Sequence, residues 1–200
     1  MGTTEPPNVH KGANVTTIHV LGVDPSLTGT GLALVGPGTC VTTTVGTKGK
    51  RADSLADRDR RLAHVAGRLA DFLTPAVRLA VIEGPARVTV GSTLDRYGLW
   101  WRLVHRLHSR DIPVAVCAPA TRAKWSAGTG RADKAAVAVH VARMWQAVEL
   151  ADDNQADALC LATMGAQYLG IPLPCGEPLA RHLDTLPAVA WPDIDREGAA

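Results

Sequence analysis

A short, mostly apolar run at 17–23, TIHVLGV, breaks at DPSLTGTG, where Asp, Pro, Ser and Gly are residues that let a backbone reverse. A short β-branched and aliphatic run of this kind predicts a buried strand. GTGLALVG (29–36) and CVTTTV (40–45) follow, with turn signals at Gly29 and at GPG (36–38), so three consecutive strands in a meander are expected. The period then changes. Leu55, Leu62, Val65, Leu69 and Phe72 recur at helical spacing and predict an amphipathic helix from Asp53 to Leu73. LAVIE (79–83) reads as a fourth strand and PVAVCAP (113–119) as a fifth, ended by Pro119. Between them STLDRYGLWWRLVHRLHSR (92–110) is a helix with Ser92 or Thr93 as its N-cap. ADKAAVAVHVARMW (132–145) and DDNQADALCLATMGAQYL (152–169) supply two more helices.

The order βββαβαβαα describes an α/β fold, a mixed five-stranded sheet flanked by helices, which is the ribonuclease H-like plan. Residues 1–15 read as a disordered leader and 16–170 as one domain. The proline-rich, acidic stretch 171–200 reads as a tail that wraps the surface or is mobile.

Composition narrows the picture. The chain has 200 residues, 46% of them apolar, enough for one domain with a real core. It has no uninterrupted apolar stretch of about 18 residues and no basic-then-apolar N-terminal order, so a cytoplasmic protein without a membrane partner is expected. Cys40, Cys117, Cys160 and Cys175 form no CxxC pair and read as free thiols, and the histidines show no metal spacing. The net charge of +2 hides an uneven distribution. Residues 48–68 carry seven basic side chains against three acidic ones, and residues 102–134 carry seven against two; beyond Glu149 the sign reverses. Two basic segments around an acidic cluster suit an enzyme that holds a polyanion and cuts it with metal, although basic segments also serve as solvated helix faces.

Three acids fall where strand and helix ends converge in this plan: Asp24 after the first strand, Glu83 at the end of the fourth, and Asp157 in the last helix. If strands one and four run parallel as neighbours, Asp24 and Glu83 leave the sheet at the same edge. Asp153 and Asn154 precede Asp157 by four and three residues, which puts them on its helix face. Hard divalent ions take oxygen ligands, and a pair of ions about 4 Å apart can serve both sides of a phosphodiester. Taken alone, Asp24 before Pro25 reads equally well as an Asx-turn, and Asp152 and Asp153 as helix N-terminal acids. Glu83 is harder to explain that way, because it ends a buried strand with no obvious partner.

VLGVDPSLTGTGLALV, AVIEGP, GRADKAAVAVHV and DDNQADALCLA, in this order and spacing, resemble the RuvC-type Holliday junction resolvases, especially short phage-borne members. The resemblance runs from Thr17 to Leu169. It implies a homodimer that incises two strands of a four-way DNA junction with Mg²⁺ or Mn²⁺, two ions per site. Carried over, it makes Asp24, Glu83 and Asp157 metal ligands. Where the family often has an acid or histidine, three residues before the last aspartate, this chain has Asn154, and Asp153 is taken as the fourth acid. The aromatic that often follows the strand-four glutamate is absent from EGPARVTV. Within TRAKWSAGTGRADK, Arg122, Lys124, Arg131 and Lys134 are expected to hold DNA, with Lys134 at the scissile phosphate; Gly128 and Gly130 either admit a phosphate or mark a turn. The aromatic helix 92–110 is expected to build the dimer, the alternative being Trp101 covered by the tail of a monomer. The competing readings are a broader fork, flap or hybrid nuclease on the same fold, and a branched-DNA binder that does not cut.

Overall fold

The structure is a computed structural model that describes residues 18–85 and 93–195. The leader 1–15, Ser92 and most of the run after Glu83 lie outside the described residues. Five strands, β1 (His19–Asp24), β2 (Thr30–Gly36), β3 (Thr39–Val45), β4 (Val77–Glu83) and β5 (Val114–Cys117), form one sheet in the order β3-β2-β1-β4-β5. The first three are the antiparallel meander; β4 runs parallel to β1 and β5 parallel to β4. The expected mixed, helix-flanked sheet is therefore the fold.

Strand alternation sorts the core into two layers. Val20, Ala33, Val35, Leu79 and Val81 face one side, under α5 (Asp153–Tyr168), while Leu21, Val23, Leu32, Ala80 and Ile82 face the other, under α1 (Leu55–Leu69) and α2 (Thr93–His108). Helix α1 starts at a capping box in which Ser54 and Asp57 satisfy each other's backbone amides. It ends in a 3₁₀ turn, Ala70–Phe72, which completes the expected span. Asp95 of α2 accepts from Arg58 at 2.6 Å and from Arg61 at 3.3 Å, which ties α1 to α2. Leu99, Leu103 and Leu107 turn inward, but Trp101 is 63% exposed, so residues 171–195 do not cover it.

Helix α3 (Pro119–Ala127) is a departure from the sequence reading. Pro119 does end β5, yet its fixed φ and missing N–H also make it a good first helical residue, and it opens a new helix directly. Gly128, at φ 81°, closes α3 in the left-handed conformation, so this glycine serves the turn. Helix α4 (Lys134–Met144) follows, capped by Asp133 accepting from the Ala136 amide at 2.8 Å. The stretch after Gly170 packs onto the α5 side. It contains α6 (Ala180–Thr185); Trp191 stacks on Tyr168 at 3.9 Å, His182 stacks on Trp125 at 4.4 Å, and Ala190 pairs with Val116 of β5. Cys117 and Cys160 are buried and all four cysteines are free thiols. Among the described residues no helix is long and apolar enough to cross a membrane.

Candidate active site

Alternation along the strands fixes which way the two strand-end acids project. Asp24 has the parity of Val20 and Gly22, and Glu83 that of Leu79 and Val81, so both belong to the α5 side of the sheet. Parallel pairing of Val23 with Ile82 sets the two acids side by side at the strand ends. Helix α5 then lies against β1 and β2 through glycine: a Cβ on Gly22 would collide with the Ala158 carbonyl, and one on Gly31 with the Asn154 carbonyl. That contact brings Asp157, 1% exposed, over the strand ends where Asp24, 7% exposed, sits.

The carboxylates feel one another. Burial, then the charges of Glu83 and Asp157, push the Asp24 carboxyl up to about 8. Burial raises Asp157 to about 6, with Arg122 opposing and Glu83 adding to the rise. The Asp24 carboxyl forms no hydrogen bond or ion pair among the described residues, although the charges of Arg122 and Lys134 act on it. It opens onto a cleft of about 310 Å³ whose walls include Glu83, Lys134, Asn154, Tyr97 and Trp100. Trp100 donates its indole N–H to the Glu83 carbonyl at 2.9 Å, which pins α2 to the end of β4.

Arg122 is not a surface contact for DNA. It is 6% exposed; its Nε donates to Glu83 Oε1 at 2.6 Å and its Nη1 donates to Asp157 Oδ1. Burial works against its charge, but Glu83 and Asp157 outweigh that and hold its pKa above the ordinary arginine value. The correction follows from α3. Once Pro119 starts a helix, Arg122, Trp125 and Ser126 share its inner face, whereas Lys124 stays exposed. Trp125 is fully buried and donates to Gln167 Oε1 at 3.1 Å, so it is a core residue.

Arg131 and Lys134 are exposed. Lys134 Nζ donates to Asp153 Oδ2 at 2.9 Å; this bond raises the lysine pKa and lowers that of Asp153. Asp153 is thereby engaged at the rim, and Asn154 is the residue of that turn on the cleft wall. Asp152 is the α5 N-cap, accepting from the Gln155 amide at 2.9 Å and from Thr44. Tyr97 and Trp100 were not singled out for the site by the sequence reading, which assigned their helix to dimerisation; their spacing of three residues was the available signal.

Among the described residues no three acids, histidines or cysteines stand in a ready metal-ligating arrangement. The donor chemistry nevertheless fits a hard cation, because every candidate ligand is oxygen and the Asp24 carboxyl forms no direct ion pair among the described residues. Arg122 is what holds one oxygen of Glu83 and one of Asp157.

No protein-family model matches the chain. The crossover junction endodeoxyribonuclease RuvC of Corynebacterium efficiens is 33% identical over 150 residues, covering 72% of this chain and 67% of that protein. The same-named protein of Corynebacterium glutamicum is 32% identical with the same coverage. Among solved structures, Thermus thermophilus RuvC aligns with a TM-score of 0.57 at 20% identity, over 81% of this chain and all of that one. T. thermophilus RuvC in complex with a Holliday junction substrate gives 0.58 at 22%, over 81% and 99%. The sheet order, the acids at its strand ends and the identity to the two corynebacterial proteins place the chain in the RuvC family of crossover junction endodeoxyribonucleases.

Proposed function

We propose that this chain resolves four-way DNA junctions by metal-assisted phosphodiester hydrolysis, leaving 5′-phosphate and 3′-hydroxyl ends. The observation that carries the reading is the meeting of Asp24, Glu83 and Asp157 over one end of the sheet, with Asp24 unpaired beside an open cleft. Those three side chains would hold the cation, with the Asn154 amide oxygen as a further donor. When bound, Mg²⁺ or Mn²⁺ supplies Lewis acidity and positive charge at the phosphodiester. Burial beside Glu83 and Asp157 raises the Asp24 carboxyl, and a bound cation would favour its charged form.

The chain's own residues do the rest. Lys134, poised at the rim by Asp153, offers its ammonium group to the phosphate. Lys124 and Arg131 extend that positive edge along the incoming backbone. Tyr97 and Trp100 give the cleft an aromatic wall on which an unstacked base can lie. Exposed Trp101 borders an open groove between α1 and α2 that also includes Ala63 and Gly67, and a second copy docked there would relate two sites by a two-fold axis, matching the junction.

One observation favours a second reading, a branched-DNA binder that does not cut: Asn154 stands on the cleft wall in place of an acid. A labelled synthetic four-way junction, beside matched fork, flap and linear duplex, separates the two when incubated with Mg²⁺, Mn²⁺ or EDTA. Paired, symmetric, metal-dependent nicks are expected in the junction. Asp24→Asn is expected to abolish cutting and spare binding. Cutting by that variant at the wild-type rate would sink the assignment, and equal cutting of forks and flaps would broaden the substrate class.

A further inference from the structure

We infer that the loop between β3 and α1, together with the first turns of α1, forms a second phosphate-binding site that holds the DNA strand away from the phosphate that is cut. The inference rests on the nuclease reading above and deepens it.

Beside the acid cleft lies a separate pocket of about 490 Å³, lined by Lys50, Arg51, Arg58 and Arg61 and by Asp53 and Asp95. The basic side chains outnumber the acids by two. Leu27 and Thr28 line this pocket and the acid cleft alike, so the two share a wall, and a backbone leaving the acids across it reaches the basic side chains. All four belong to the basic segment 48–68, and no side chain of that segment lines the acid cleft itself.

These charges are held in place, unlike those on a solvated helix face. Arg61, its side chain 12% exposed, donates to Asp53 and to Asp95, each at 3.3 Å. Asp53 also accepts from the Lys50 amide at 2.8 Å, and its own amide donates to the Lys50 carbonyl at 3.1 Å, which fastens the turn 50–53 to α1. Only glycine fits before that turn: a Cβ on Gly49 would lie 1.3 Å from Arg61 Nη1. The acids are thereby engaged, whereas Lys50 and Arg51 are exposed and form no ion pair among the described residues. Arg58 uses Nε and Nη2 on Asp95, which leaves its Nη1 available. An ammonium and two guanidinium groups that only donate suit phosphate oxygens, and two phosphate contacts on one strand fix its direction and register.

The test measures binding of the full chain to a labelled four-way junction by fluorescence anisotropy, in EDTA and across a series of salt concentrations. Cutting is followed with Mg²⁺ on the same preparations. The double variant Lys50→Gln, Arg51→Gln is expected to bind the junction about tenfold more weakly near 0.1 M salt, with the slope of log K against log salt reduced by about 2. Its cutting is expected to fall at limiting junction and to recover as junction is raised. Both side chains are exposed, so their exchange leaves the core alone. A second double variant, Arg78→Gln, Arg110→Gln, removes equal charge from exposed positions at the start of β4 and after α2, the end of the sheet away from Glu83, and is expected to keep the wild-type slope. Equal affinities and slopes for the two double variants would overturn the second site and leave the nuclease reading standing. A wild type that neither binds nor cuts the junction would overturn both.

Discussion

The two faces of the sheet are packed by different rules. On the α5 face, helix backbone rests on strand backbone through Gly22 and Gly31, and Gly165 approaches the methyl groups of Val20 and Val81 so closely that a Cβ would lie 2.7 Å from each. On the α1–α2 face, Leu62, Leu69, Leu99, Leu103 and Leu107 pack against Leu21, Leu32 and Ile82. There the glycines have space: a Cβ on Gly98 would meet only a Leu62 methyl at 3.4 Å, and one on Gly67 nothing. Side-chain packing of the second kind tolerates exchange among apolar residues of similar volume. Backbone contact has no such slack, and it is on that face that Asp157 must be held against Asp24 and Glu83. The proposed site is built where the fold can least drift.

The sharpest way to break this comparison is Gly22→Ala or Gly31→Ala. Each puts a methyl group into a helix carbonyl, with an expected loss on the order of 4 kcal/mol in urea unfolding. A loss under about 1 kcal/mol would refute the close approach. Leu103→Ala, on the roomier face, is expected to cost about 3 kcal/mol, and Leu103→Met less than about 1.5 kcal/mol, while the folded fraction of either cuts junctions normally.

Acid should also separate the faces. His182, stacked on Trp125 on the α5 side, is lowered to about 4 by burial, with Arg181 and His140 adding to the shift. As pH falls the unfolded chain takes up that proton first, so the stability contribution is complete above the ordinary value of 6.5 and is lost toward pH 4. His64, His105 and His108, on α1 and α2, are exposed. Urea unfolding at pH 7 and pH 4.5 should therefore show the wild type losing stability relative to His182→Phe on acidification, while the raised carboxyls of Asp24 and Asp157, common to both chains, shift both in the opposite direction. The smallest effect sharpens the contrast from the other side. Gly98→Ala, in an α2 position with room for a methyl, is expected to gain up to about 1 kcal/mol from helix propensity, read as a higher Tm. Gly67→Ala should gain similarly as a monomer, and a simultaneous weakening of self-association would mark the α1–α2 groove as the contact between copies.

The strands and the three central acids were legible in the sequence because each breaks a strong local pattern. Asp24 and Glu83 end apolar strands, and Asp157 interrupts a helix otherwise almost wholly buried from Gln155 to Ala166. Helix α3 was hidden because proline both stops a strand and starts a helix, and only tertiary packing shows that one residue does both. Arg122 was misread for the same reason: among glycines and other basic residues it looks like a loop contact, and its inward direction follows only from the phase of α3. Tyr97 and Trp100 show the reverse case. Their helix was recognised, but one helix can serve a cleft wall, a core and an exposed face at once, and spacing alone does not divide those tasks.

The pairing of Ala190 with Val116 has a consequence for how the molecule behaves in company. Val116 donates to the Ala190 carbonyl at 3.0 Å and accepts from its amide at 3.1 Å, so the outer edge of β5 is occupied at that point by the chain's own C-terminal stretch. A bare strand edge is a template on which another chain can add itself. Residues outside the acid cluster thus act as a guard against sheet extension, and cutting the chain before Ala190 would expose a place for aggregates to begin.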